Sequence, residues 1–126
     1  MLKKNKFSIC VALLILFLSL TSSENFGKIH IIKIPGIDKV AHFGMYFLFM
    51  SVILFENRKK LMKIYSFFLA ALIPFFFGII MELLQFWLTS TLSGDLFDEL
   101  FNLLGILTAL ILFLILRSRG VAAFRY

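Results

Sequence analysis

Cysteine is nearly missing from this 126-residue chain: Cys10 is the only one, which removes intramolecular disulfides and any Cys-based zinc site. It follows a very short basic segment that does not resemble a lipoprotein signal, and it is expected to be a buried apolar residue. Charge is scarce too, with 16% of residues charged and only seven acids. The chain has no glycine-rich phosphate loop and no Ser-His-Asp order.

Apolar residues fill the space. The chain is 61% hydrophobic with a mean hydropathy of +1.00, against roughly half apolar for a soluble domain. A membrane-spanning helix needs about 20 mainly apolar residues. The length therefore holds four or five spans at most, with short connections, and one domain over residues 1–126 is expected. Most of the 17 Phe fall inside the hydrophobic runs, where they can face lipid or pack between helices. The formal charge of +6 sits in short clusters between those runs. No basic domain exists to bind phosphates, so nucleic acid is excluded as a partner and the lipid bilayer is expected.

Four runs stand out, at about 7–23, 40–55, 64–88 and 97–116. The first follows Lys3, Lys4 and Lys6 and ends in Thr21, Ser22 and Ser23 without an Ala-x-Ala site. Signal peptides and short anchors share this arrangement; a retained helix is the preferred reading and a cleaved signal the alternative. Next, alternating apolar and basic residues lead to Pro35 and Gly36, which predicts an interfacial or irregular connection. The second run is closed by Glu56 and the cluster Arg58, Lys59, Lys60 and Lys63, and from Lys39 to Glu56 it rises about 26 Å as a helix. Pro74, with Gly78 one turn later, predicts a kink in the third. The fourth begins after the turn-like TSTLSGD and stops at Arg117, Arg119 and Arg125. The fold class expected is an all-α polytopic bundle of about four transmembrane helices.

Four spans place the N-terminus, the connection between the second and third helices, and the C-terminus on one side. That side holds Lys3, Lys4, Lys6, Arg58, Lys59, Lys60, Lys63, Arg117, Arg119 and Arg125. The positive-inside rule makes it cytoplasmic, with both termini there. The outer side receives Lys28, Lys33 and Lys39 together with Glu24, Asp38, Glu82, Asp95, Asp98 and Glu99.

Charged groups deep in a span cost at least about 2.5 kcal/mol by insertion scales, so the depth of these acids matters. Glu82 comes about 27 Å along the third helix and His42 about 4.5 Å into the second, near the same boundary. Asp38, His42 and Tyr46 are spaced i, i+4, i+8 on one helix face with Lys39 beside them. Glu82 and Gln85 are one turn apart, and Asp95, Asp98, Asn102 and Gly105 follow at helical-face spacings. Ordinary explanations exist for each. Asp95, Asp98 and Glu99 fit helix capping and the helix dipole. Glu82, Gln85 and Asn102 fit interhelical hydrogen bonding. His42 fits a structural pair with Asp38, or a general acid or base with Glu82 or Asp98, or a headgroup-binding residue. A metal site from His42, Glu82 and Asp98 is chemically possible, but a single histidine without a closely spaced ligand motif argues against it. No metal and no cofactor are therefore expected.

These residues resemble the VanZ-like family of small bacterial membrane proteins, whose pattern is Asp-Lys-x-x-His-x-x-x-Tyr, then Glu-x-x-Gln, then Asp-x-x-Asp-x-x-x-Asn-x-x-Gly. The pieces here are DKVAHFGMY with Asp38, Lys39, His42 and Tyr46, MELLQF with Glu82 and Gln85, and DLFDELFNLLG with Asp95, Asp98, Asn102 and Gly105. Together they cover Gly36 to about Leu110. One departure is that TSTLSG, before Asp95, lacks the Arg common in the family. The resemblance implies a multi-pass protein of the bacterial cytoplasmic membrane, related through the founding member to teicoplanin resistance; for most relatives the activity is undefined. A polar cluster that binds a lipid headgroup or cell-wall precursor at the outer leaflet is the leading functional expectation. The alternatives are a membrane enzyme on a lipid-linked substrate, using His42 with Glu82 or Asp98, and a structural or transport-accessory subunit.

Overall fold

The computed structural model describes residues 4–25, 37–88 and 96–124. Four α-helices follow one another: α1 (Lys6–Asn25), α2 (Ile37–Glu56), α3 (Ile64–Leu88) and α4 (Leu96–Ser118). A short 3-10 turn, Ala122–Phe124, follows, and no strand is present among the described residues. Each helix contains one of the four hydrophobic runs and exceeds most of their boundaries by a residue or two. The connections at 26–36 and 89–95, including the expected interfacial stretch and TSTLSGD, lie outside the described residues.

Among the described residues, three helices are long and apolar enough to cross a membrane, over Lys39–Glu56, Ile64–Leu84 and Phe97–Ser118. In α1 the apolar stretch among the described residues is Lys6–Ser19. Large apolar side chains cover the outside: Phe68, Leu69, Ile73, Phe76, Ile80 and Leu83 on α3 are all more than half exposed. A soluble protein rarely shows so continuous an apolar surface, and a hydrocarbon environment satisfies it. Exposed Cys10 belongs to the same surface. This corrects the expectation that it is buried, since an apolar residue on a helix in lipid has no reason to seek the core.

The core lies where α2 and α4 meet, the most extensive contact in the bundle. On α2 the inward stripe is Tyr46, Phe49, Met50 and Ile53, and on α4 it is Asn102, Ile106, Ala109 and Phe113, spacings of three and four on both. Gly105 makes the approach possible, because a Cβ there would strike the backbone carbonyl of Phe43. Small residues at such crossings are how membrane helices gain packing without a hydrophobic force between them. Through Pro74 α3 continues unbroken, with the proline itself fully buried. Its missing N–H is tolerated because neighbouring helices cover the gap.

Capping contacts hold the opposite end from His42. The Glu56 carboxylate, at the end of α2, accepts from the backbone N–H of Phe7 (2.8 Å) and Ser8 (3.0 Å) and from the Ser8 hydroxyl. It thereby satisfies orphan donors in the first turn of α1 and sits at the positive end of that helix. Arg117, in the last turn of α4, donates to the carbonyls of Leu61 (2.6 Å) and Arg58 (3.3 Å). Gly120, at φ 73°, then ends α4 in a Schellman turn, with Val121 N–H on Leu116 and Gly120 N–H on Arg117. These contacts bring the start of α1, the α2–α3 connection and the end of α4 together. The basic clusters therefore share one end of the bundle, and His42, Glu82, Asp98 and Asn102 of α2, α3 and α4 occupy the other.

Candidate binding site at the polar end of the bundle

The core stripes of three helices turn polar as they reach the end away from the basic clusters. Tyr46 and Phe49 on α2 give way to His42 one turn earlier. On α4, Ile106 gives way to Asn102, then to Asp98 and Glu99 in the first turn. On α3, buried Met81 is followed by half-buried Glu82. Because helical periodicity continues through the change, the polar groups occupy positions that face the neighbouring helices and not lipid.

Asn102 is the centre of the arrangement, with 1% of its surface exposed. Its Nδ2 donates to Glu99 Oε2 at 3.1 Å, one turn back on the same helix. Its Oδ1 lies 3.0 Å from Nδ1 of His42 on α2. A carboxylate only accepts, so Glu99 turns the amide nitrogen toward itself and the amide oxygen toward the histidine. His42 Nδ1–H then donates to Asn102, leaving Nε2 on the other edge of the ring. That edge faces Asp98, whose Oδ2 is 3.9 Å from Nε2. Ligand-type atoms of His42, Glu82 and Asp98 all lie within 4.8 Å of one another. The three residues come from α2, α3 and α4, and their side chains are partly buried.

Glycine opens the space for this group. At Gly78 on α3 a Cβ would lie 2.9 Å from Glu99 Oε2 and 3.1 Å from Asn102 Nδ2, so the bare backbone lets both side chains rest against α3. Glu99 Oε1 is buried and has no hydrogen-bond partner among the described residues.

The structure thus brings together His42, Glu82, Asp98 and Asn102 of the residues expected at the site. Tyr46 is placed one turn deeper, 1% exposed and edge-on to Phe49, so it forms the floor between site and core. Lys39 is half-buried in the first turn of α2. Asp38 and Gln85 lie on their expected helices, but their side chains, and Asp95 as a whole, lie outside the described residues. Glu99 and Gly78 join the site without being expected there. The spacing of Glu99 and Asn102, i and i+3, is the available signal in the sequence, but the helix dipole already accounts for the acid. For Gly78 the nearby proline offers an explanation that hides its role.

Fold and cluster together define a helical membrane protein with a polar site shared by three helices at one end of its bundle. Comparison with known protein families, with curated proteins and with solved structures finds no match to this chain.

Proposed function

We propose that this chain is a VanZ-like protein of the bacterial cytoplasmic membrane, and that its polar cluster binds a lipid headgroup or cell-wall precursor at the outer leaflet. The observation that carries the reading is the convergence of His42, Glu82, Asp98 and Asn102 from three helices at one end of the bundle. Polar groups gathered within hydrocarbon reach are costly, so a cluster assembled from separate helices suits a site better than scattered placement would. Charge segregation supports the outward direction: the basic clusters at the opposite end face the cytoplasm by the positive-inside rule.

A membrane enzyme acting on a lipid-linked substrate is the second reading, favoured by one geometric fact. His42 Nε2 faces Asp98 while Nδ1 is held by Asn102, the arrangement of an oriented acid or base. Single substitutions His42→Ala, Glu82→Gln and Asn102→Ala separate a site from a packing role. Normal membrane abundance with altered envelope integrity or glycopeptide susceptibility is the expected result. Loss of abundance in parallel with loss of phenotype would assign the cluster to helix packing instead.

A further inference from the structure

We propose that His42, Glu82 and Asp98 bind one divalent cation of the zinc class, and that Asn102 orients the histidine for it. The inference deepens the headgroup reading and rests on it for the cation's role. The donor set itself rests on geometry.

The three ligand atoms lie within 4.8 Å of one another, with 3.9 Å between His42 Nε2 and Asp98 Oδ2. Zinc holds nitrogen and oxygen ligands at about 2.0–2.2 Å, which in tetrahedral geometry separates them by about 3.3–3.6 Å. The site reaches that spacing with side-chain movements of about an ångström. His42 and Asp98 side chains are 13% and 15% exposed, enough for that movement and for entry from the end of the bundle.

A second observation points to the same occupant. Metal-bound histidines hand their other ring N–H to an acceptor that fixes tautomer and orientation. Asn102 provides that acceptor at 3.0 Å and is itself held by Glu99 at 3.1 Å, so the lone pair is left on Nε2, the nitrogen facing Asp98. One imidazole and two carboxylates without thiolate suit zinc or manganese better than copper(I) or an iron–sulfur cluster. Three protein ligands also leave a coordination position open. A cation there converts an acidic pocket into one that accepts a phosphate or diphosphate oxygen, the chemistry shared by lipid headgroups and lipid-linked precursors.

The test uses the full chain purified in detergent, stripped with chelator and titrated with Zn2+, with Mn2+ as a spectroscopic probe. The expected result is one ion per chain, with affinity falling at least 10-fold in Glu82→Gln and Asp98→Asn and more in His42→Ala. Asn102→Ala is expected to weaken binding about 10-fold or more through the histidine alone. Cys10→Ser and Thr108→Ala are expected to bind as the parent does. Each variant is first shown to be folded without metal at the temperature of the titration, well below the unfolding of the less stable Asn102→Ala; where Glu82→Gln or Asp98→Asn is not folded, Glu82→Asp or Asp98→Glu replaces it, expected to alter affinity without loss of fold. Less than half an ion per chain, or binding unchanged by His42→Ala, would overturn the proposal.

Vesicles containing a diphosphate-bearing lipid then separate the two readings. Lipid retention that requires metal and His42 supports both. Retention that persists in chelator overturns the cation's role but not the headgroup reading, whereas stoichiometric metal binding without lipid retention keeps the cation site and removes the headgroup.

Discussion

Asn102 shows most clearly how one side chain organises the site. An amide with 1% exposure must place both its ends, and here the carboxylate of Glu99 and the ring of His42 take them. Asn102→Ala leaves His42 Nδ1 and Glu99 without that partner and is expected to lower stability by about 1–2 kcal/mol, near the upper range for interhelical hydrogen bonds in membranes. Reversible unfolding in mixed micelles measures it. Thr108→Ala is the comparison, because that exposed hydroxyl donates only to the Leu104 carbonyl of its own helix and its loss should cost less than about 0.5 kcal/mol. His42, Glu82, Asp98 and Asn102 are legible in the sequence because polar residues inside apolar runs are conspicuous and their spacing shows which of them share a face. Glu99 is not. Asp98 and Glu99 share one first turn, and only the crossing of α3 over α4 at Gly78 reveals that the second acid also turns inward.

Helix against helix, the glycines and the caps decide the packing. Gly105 faces the Phe43 carbonyl, backbone against backbone, which cannot yield as a flexible side chain would. Gly105→Val is expected to part α2 from α4 at a cost of about 3 kcal/mol or more, seen as loss of folded protein in the membrane fraction. Gly44, where an added Cβ would meet nothing within 4 Å, gives the opposite expectation: Gly44→Ala should be neutral or stabilise by up to about 1 kcal/mol through helix propensity. The capping of α1 by Glu56 calls for a different measurement. Glu56→Ala removes acceptors for two N–H groups of the first turn, so α1 should detach more readily and be cut faster by protease at its N-terminal end. Helix boundaries are legible because length and hydropathy set them. The Glu56 contact is not, since residues 48 and 49 positions apart meet only once α1 lies antiparallel to α2.

For the whole molecule, the two ends of the bundle differ in chemistry, and that difference predicts its direction in the membrane. Arg117 bridges α4 to the carbonyls of Arg58 and Leu61, so the basic residues of the α2–α3 connection and of the α4 terminus gather at one end. His42, Glu82 and Asp98 gather at the other. Lys and Arg resist translocation far more than Asp and Glu do, so the basic end is expected to remain cytoplasmic and the acidic site to face outward. Cysteines placed singly at Lys60 and Gly94, in a Cys10→Ser background, test this in intact cells with a membrane-impermeant thiol reagent. Labelling at 94 and protection at 60 is the expected pattern. The reverse pattern would put the cluster in contact with the cytoplasm, where lipid-linked precursors are made but glycopeptides do not reach, and the proposed function would have to be redrawn around the inner leaflet.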